Sequence, residues 1–404
     1  MRSAPCITCR SASTACRTTS RRPSCRSRRF SAICRRSSPI RCSAPSSTAA
    51  RPARTPIARC SSSSCCPVSP VRGSACADTG SSPRSDAAEP HAFDYHHQPS
   101  SKGAPMKIKQ LGTAAAERIP GIFCECDLCR HAAAAGGKEI RTQCQAIVDD
   151  AILLDFPGDT YLHYLRDRFP LPSVRSVLVT HWHSDHFYGE DVAYRMNGYV
   201  ISNPVRHMEV YGSETVHGFH ERAFFLEQRH DEDSVAFTTV RPGDDFTVCG
   251  GPVDTDESGN AVDGGTGTLR KYRAHAFEAA HGHHAGDCLF YSLTDGERTL
   301  LYAHDTGWFP DVTWDELARV GGHYDYVSLD CNHALHGSSL SMHMNFEDNL
   351  RARDRMVELG VADERTIFVA NHFSHNGRTT HEEMAEAARR EGFRCAWDGM
   401  EVEF

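Results

Sequence analysis

Residues 177–186 read Val-Leu-Val-Thr-His-Trp-His-Ser-Asp-His, an apolar run followed by four side chains that can bind a metal. A short apolar run predicts a buried β-strand, so His181, His183, Asp185 and His186 follow directly after its end. Imidazole and carboxylate groups together suit zinc, manganese or iron. Along an extended chain, alternation places His181 and His183 on one side, whereas Asp185 and His186 turn towards a neighbouring ion. The stretch therefore predicts a metal site at a strand end, in preference to a histidine-rich surface loop.

The pattern His-x-His-x-Asp-His after an apolar strand resembles the signature of the metallo-β-lactamase superfamily. The resemblance extends from Met106 to Phe404 and implies an α/β fold, an αββα sandwich that holds two divalent metal ions, Zn²⁺ or Mn²⁺, at one edge. It also implies ligands from later strand ends, for which this chain supplies His281, Asp305 and His372 in the expected order. His283 is the alternative to His281, because it too lies in a glycine–histidine turn of the kind found in the superfamily.

The resemblance implies how these residues divide between the two ions. The expected ligands of one ion are His181, His183 and His281, and those of the other are Asp185, His186 and His372. Asp305 is expected to bridge the pair. Asp155, at the end of an earlier apolar run, resembles a carboxylate that orients the metal ligands.

A second constellation is the Cys-x-Cys-x-x-Cys cluster of Cys124, Cys126 and Cys129. Three thiolates need a fourth ligand to close a tetrahedral zinc site, and His375 offers one. With an opening Leu-Gly-Thr strand and a late His-x-Ser-His, the cluster resembles the phosphoribosyl cyclic phosphodiesterase group of the superfamily. That resemblance implies one structural zinc ion on the three cysteines and His375, with His372 in the active site. Three core or redox-active cysteines are the alternative interpretation.

The same group places a histidine before a helix as the general acid, and His343 matches that position. Asp185 and His343 are therefore the candidate catalytic residues. The stretch 329–333, Leu-Asp-Cys-Asn-His, also resembles a segment of this group.

The composition divides the chain into two parts. Residues 1–105 carry 17 Lys and Arg against four acidic residues, whereas residues 106–404 carry 27 against 48. The first part lacks periodic apolar positions and predicts a disordered Arg/Ser/Cys-rich segment. It is either a nucleic-acid tail, a transit peptide, or sequence translated ahead of a true start at Met106. The second part is the expected hydrolase domain, and its negative charge makes a nucleic-acid partner unlikely.

Strands and helices are both expected along residues 106–404. Among the strand-like stretches are 145–155, 198–202 and 395–404, and helical patterns occur near 160–169, 214–228, 313–320, 346–359 and 380–391. The acidic stretch 206–268 ends in the glycine-rich residues 263–267 and is expected to contribute a lid or substrate wall.

Together these features predict a metal-dependent phosphodiesterase that hydrolyses a small, cyclic phosphodiester with water activated by two metals. A lactone or thioester hydrolase and a tRNA-processing nuclease are the alternatives on the same scaffold. No apolar run reaches the about 18 residues of a membrane span. Three cysteines at metal-ligand spacing favour a reducing, cytoplasmic setting. A small-molecule partner is expected, and homodimerisation stays open.

Overall fold

The computed structural model describes residues 105–251, 269–336 and 342–404. Residues 1–104, which make up nearly all of the predicted Arg/Ser/Cys-rich segment, lie outside the described residues. The glycine-rich stretch 263–267 that we expected to belong to a lid also lies outside them. Within the described ranges, no helix combines the length and the hydrophobicity needed to cross a bilayer.

The described chain contains strands that are numbered here in chain order: β1 Lys107–Gly112, β2 Gln145–Val148, β3 Ile152–Leu154, β4 Ser176–Leu178, β5 Met208–Gly212, β6 Val235–Thr239, β7 Asp245–Gly250, β8 Arg270–Glu278, β9 Leu289–Thr294, β10 Thr299–Ala303, β11 Tyr326–Asp330, β12 Ile367–Asn371, β13 Phe393–Cys395 and β14 Met400–Glu403. The α-helices are α1 Asp127–Ala135, α2 Thr160–Asp167, α3 Gly189–Ala193, α4 Glu214–Leu226, α5 Asp311–Val320, α6 Phe346–Glu358 and α7 His381–Arg390.

The strands form two mixed sheets of seven strands each. The first has the order β14-β1-β2-β3-β4-β5-β6, and the second has the order β13-β12-β11-β10-β9-β8-β7. In the first sheet β3 to β6 run parallel, and in the second sheet β10 to β13 do so. Parallel strands bring their carboxyl ends to one edge, which is where functional side chains collect in such sheets.

Both faces of the first sheet are buried, and β3 shows why. Side chains alternate along a strand, so Ile152 and Leu154 point to one face and Leu153 to the other. Ile152 and Leu154 belong to the core between the sheets, which also contains Leu178, Tyr272, Phe290 and Leu301. Leu153 belongs to the core on the opposite face, which also contains Val177, Val210, Val216 and Phe224. The layers are therefore helix, sheet, sheet and helix, and the predicted αββα sandwich is confirmed.

Three of the predicted strands are wrong in detail. Residues 145–155 form the hairpin β2–β3, because Asp149 and Asp150 adopt φ values of 51° and 54°, a conformation that Asp tolerates better than most residues. Residues 198–202 form a turn in which Gly198 has φ 98°. Residues 395–404 divide between β13 and β14, which lie in different sheets.

Part of the stretch 206–268, which we expected to contribute a lid, belongs to the two sheets. Its described part, up to residue 251, contributes β5, α4, β6 and β7. Two of these strands extend the first sheet, and β7 forms the edge of the second. The expectation of a lid is therefore wrong for β5 to β7.

Candidate metal centre

The candidate ligands lie where strands end. His181 follows β4, Asp305 follows β10 and His372 follows β12. Because β10, β11 and β12 are parallel neighbours, Asp305, Asp330 and His372 emerge at the same edge of the second sheet. The sequence gives each strand an apolar body and a polar end, so the ligands lie between the two sheets at their rim.

Sharp turns near the strand ends direct the side chains of Asp155, Asp305 and His372 towards the site. Asp155, Asp305 and His372 have φ values of 65°, 47° and 61°. Such a conformation costs an ordinary residue about 1–3 kcal/mol and persists only where the surrounding structure holds it. Asp155 and His372 directly follow β3 and β12, and Asp305 lies two residues after β10, so the chain changes direction where it presents a polar group to the site.

Three imidazoles form one group of converging nitrogens. His181 Nε2 lies 2.8 Å from His183 Nδ1, which in turn lies 3.3 Å from His281 Nε2. His181 and His281 are buried, whereas His183 is exposed. His283 is exposed and belongs to none of the described clusters of potential ligands. Of the two histidines left open by the sequence, the structure brings His281 to the site.

A second, fully buried group contains Asp185, His186, Asp305 and His372. His186 Nε2 lies 3.4 Å from Asp185 Oδ2 and 3.3 Å from His372 Nε2. Asp305 Oδ2 lies 2.8 Å from His372 Nε2 and in close contact with His186 Nε2. Asp305 Oδ1 lies 3.5 Å from His281 Nε2, so this carboxylate faces both groups.

Partners behind the histidines fix which ring nitrogen points into the site. Nδ1 of His186 lies 2.8 Å from Asp155 Oδ2, and Nδ1 of His281 lies 3.2 Å from the carbonyl oxygen of Met342. An oxygen acceptor holds the proton on Nδ1 and leaves a lone pair on Nε2. Asp155 also accepts hydrogen bonds from the amide and the hydroxyl of Thr180. It therefore occupies the position that the sequence predicted for an orienting carboxylate.

The electrostatics of the second group favour a cation. Burial favours the neutral form of His372, but the carboxylates of Asp305 and Asp330 outweigh it and raise its pKa to about 10. Burial also opposes ionisation of Asp305, yet His372, His186 and His281 hold its pKa well below the usual range. Asp305 Oδ2 is buried and makes no hydrogen bond of good geometry. A divalent cation would satisfy this oxygen and replace the protons on the histidines, so the residues present fit a metal.

Asp330 is a residue whose role the sequence did not reveal. It is buried, and its Oδ2 lies 3.0 Å from Nδ1 of His343 and 3.2 Å from Nδ1 of His372. Burial lowers the pKa of His343, but Asp330 outweighs this and raises it. His343 is partly exposed, and its Nδ1 lies 3.7 Å from Asp305 Oδ1. The available signal was an aspartate at the end of an apolar strand, a position that Asp155 shares.

The cysteines also come together. One ligand atom from each of Cys124, Cys126, Cys129 and His375 lies within 4.8 Å of the others, and Cys126 Sγ is 3.7 Å from His375 Nδ1. Burial raises the pKa of Cys129 to about 12, whereas hydrogen bonds from Cys129 and His375 outweigh burial at Cys126 and lower its pKa to about 6. His375 Nε2 lies 3.5 Å from Glu117, which orients the ring. Three sulfurs and one nitrogen are a donor set that suits zinc.

The family described as beta-lactamase superfamily domain matches residues 153–390, which is more than half of the chain. The chain belongs to this superfamily. The resemblance to the metallo-β-lactamase superfamily is confirmed, and the general function follows from it: the protein is a hydrolase of the metallo-β-lactamase fold that binds divalent metal.

Solved structures of this fold resemble the chain at low sequence identity. A new diphosphatase from the PhnP family is 19% identical with a TM-score of 0.53, and the match covers 74% of this chain and 98% of that one. Zn²⁺-bound PqqB from Methylobacterium extorquens is 15% identical with a TM-score of 0.49, and the match covers 74% and 100% of the two chains. No curated protein sequence matches significantly. At this identity the similarity to the diphosphatase shows the fold alone.

Proposed function

We propose that this hydrolase is a binuclear phosphodiesterase that acts on a small phosphodiester. The observation that carries the proposal is the position of Asp305. One of its carboxylate oxygens faces Nε2 of His281 in the first group of potential ligands, and the other faces Nε2 of His372 in the second group. A carboxylate in this position can bridge two cations, and two-metal sites are typical of enzymes that displace groups at phosphorus.

The proposed ligands are those that the sequence predicted. One ion would be held by His181, His183, His281 and Asp305, and the other by Asp185, His186, His372 and Asp305. Divalent cations at such a site supply Lewis acidity, which activates water near neutral pH and offsets the charge of a phosphoryl group. Asp155 and Asp330 contact Nδ1 of His186 and of His372, which leaves Nε2 of each ring as the nitrogen that would bind a metal ion.

His343 is the proposed proton donor. Its Nδ1 faces Asp330, so Nε2 is the nitrogen left to deliver a proton to a departing alkoxide. The ring is partly exposed, as contact with a substrate requires. The Asp330 carboxylate stabilises the protonated ring and raises the pKa of His343 against the effect of burial, which favours the charged form of the donor.

The pair of Asp330 and His343 favours a phosphodiester over a thioester, because an alkoxide leaving group needs a proton and a thiolate does not. The charge of residues 106–404 disfavours binding of a long polyanion such as tRNA, since this part contains 48 acidic and 27 basic residues.

The predicted zinc site of three cysteines and one histidine is part of the same proposal, with a structural role. Among small phosphodiesters, 5-phosphoribosyl 1,2-cyclic phosphate is the first candidate, because the Cys-x-Cys-x-x-Cys and His-x-Ser-His motifs resemble the group that acts on it.

The test is hydrolysis by the full-length chain loaded with Mn²⁺ or Zn²⁺. The substrates are 5-phosphoribosyl 1,2-cyclic phosphate, bis(p-nitrophenyl) phosphate, a lactone and a thioester. Asp305→Asn is the decisive variant, because Asn tolerates the positive φ of this position while losing the charge. Asp325→Asn, which precedes β11, is the matched control. We expect the wild type and the control to hydrolyse the phosphodiesters in a metal-dependent manner, and Asp305→Asn to be inactive. Turnover of the lactone or thioester alone would refute the proposal.

A further inference from the structure

A cavity of about 500 Å³ opens beside the amino-terminal ends of β5 and β6. Its polar wall consists of Arg195, Asn197, Asn203, Arg206, Asp233 and Ser234. Arg206 lies two residues before β5, and Ser234 directly precedes β6. The strands β4, β5 and β6 are parallel, and the metal ligands follow the carboxyl end of β4. The cavity is therefore at the opposite edge of the sheet from the candidate metal centre.

The Arg195 guanidinium on this wall has no counterion among the residues that the structure describes. Its Nη2 donates a hydrogen bond of 2.7 Å to the carbonyl oxygen of Val205. Its Nε is buried and makes no hydrogen bond. No carboxylate among the described residues forms an ion pair with Arg195. A charge that is partly removed from water without a partner is costly, so this arrangement points to a missing anion.

The guanidinium of Arg175 adds a second positive charge near Arg195. Arg175 directly precedes β4, and its Nε is also buried without a hydrogen-bond partner. Burial and the nearby charge of Arg175 lower the pKa of Arg195 to about 10. The two arginines therefore repel each other in a setting that screens them poorly.

The neighbouring carboxylates do not neutralise this charge. Asp231 accepts hydrogen bonds from the amides of Asn197 and Ser234, at 2.9 Å and 3.2 Å, and from the Ser234 hydroxyl at 2.9 Å. Asp233 is the only carboxylate on the described wall, and it is exposed. A basic cavity thus lies in a part of the chain that is otherwise strongly acidic.

We propose that this cavity binds a small phosphate-bearing anion, at a site separate from the metal centre. The planar guanidinium of Arg195 matches two phosphate oxygens at once, and the amide of Asn203 adds a neutral donor. Asn203 Oδ1 already accepts the amide of Val205 at 3.0 Å, so its NH₂ group is the part left for a ligand. Val200 and the exposed Ile201 line the same cavity and offer apolar contact to an organic group. The volume is within the range of pockets that hold small molecules, about 300–1,000 Å³.

Isothermal titration of the full-length chain with inorganic phosphate and with AMP tests this proposal. The variants are Arg195→Gln and Arg175→Gln, which retain a polar side chain without the charge. Arg222→Gln is the matched control, because this exposed arginine already pairs with Glu190 at 3.1 Å. We expect Arg195→Gln, and also Arg175→Gln, which removes a positive charge near Arg195 but outside the cavity wall, to weaken binding at least tenfold. The control should bind like the wild type. Turnover by the metal centre should remain unchanged in all three.

The two probes identify the source of the phosphate. Tighter binding of AMP would indicate an organic phosphate that uses Val200 and Ile201, whereas equal affinities would indicate free phosphate. Arg175→Gln also covers the possibility that Arg195→Gln unfolds, since Arg175 forms no ion pair with any residue that the structure describes. Wild-type affinity for both probes in a folded Arg175→Gln or Arg195→Gln protein would overturn the proposal, and so would the absence of binding to the wild type at millimolar ligand.

Discussion

Replacing Asp330 by asparagine is expected to abolish most turnover of an alkyl phosphodiester while leaving the fold intact. Asp330 Oδ1 accepts the amides of Asn332 and Met344 at 3.1 Å and 3.0 Å, and the oxygen of asparagine can keep both hydrogen bonds. Its Oδ2 faces Nδ1 of His343 and of His372. The amide group of asparagine would present a donor to these two nitrogens, where the carboxylate presents an acceptor.

The magnitude follows from what these two contacts do. Loss of a hydrogen bond to a charged group costs about 1.5–3 kcal/mol, so the free energy of unfolding should fall by no more than roughly that amount. Loss of general-acid catalysis lowers turnover by about 10²–10⁴-fold. This is roughly 2.7–5.4 kcal/mol in the activation free energy.

The assay compares two leaving groups on the full-length enzyme. The p-nitrophenolate of an aryl ester departs without a proton, whereas the alkoxide of an alkyl ester needs one. We expect Asp330→Asn and His343→Gln to lose about 10²–10⁴-fold on the alkyl ester and about tenfold or less on the aryl ester. Asp325→Asn, at the other end of β11, is the control, and metal content is measured for each protein.

Two results would refute the reasoning. Equal losses on both esters would show that Asp330 acts through the metal ligand His372 and that His343 donates no proton. Full activity of Asp330→Asn on the alkyl ester would show that neither contact matters for the reaction.

The other predictions concern zinc and packing. Cys126→Ser should lower the zinc content by one ion per chain and reduce the melting temperature, because a structural zinc ion contributes folding free energy; unchanged zinc content would contradict the proposed site. Gly112→Ala would place a Cβ atom 1.9 Å from the carbonyl oxygen of Gln143, and it should reduce the free energy of unfolding by at least about 1–3 kcal/mol in urea titrations. Gly218→Ala meets no atom within 4 Å inside α4 and should instead raise it by about 0.5–1 kcal/mol. Equal urea midpoints for the two variants would argue against both.

Much of the fold could be predicted because its signals are local. An apolar run with polar residues at its end indicates a buried strand and a functional edge, and this is how His181 to His186 were identified. Asp305 followed from the resemblance that this pattern carries. The start of α7 also has a local signal, because Thr380 forms a reciprocal capping box with Glu383.

Errors arose where a local pattern has two outcomes. The apolar residues of 145–155 suit one long strand or two short ones, and the choice depends on a turn at Asp149 and Asp150. That turn is held from outside by Lys107, whose amide donates to Asp149 Oδ1 at 2.7 Å, and by Tyr272, whose hydroxyl donates to Asp149 Oδ2 at 2.7 Å. Neither partner is near in sequence, so the pattern alone could not reveal the hairpin.

The sequence by itself determined which residue types could form the site and the order in which they occur along the chain. Tertiary structure decided which of them meet. His281 enters the site, where it contacts the carbonyl oxygen of Met342 and the ring of His183, whereas His283 is exposed. Asp330 gains its role because β11 lies between β10 and β12, which places its carboxylate behind His372 and beside His343. Spacing along a chain records local conformation, whereas a metal centre is a convergence of distant strand ends, and only the packed sheets bring those ends together.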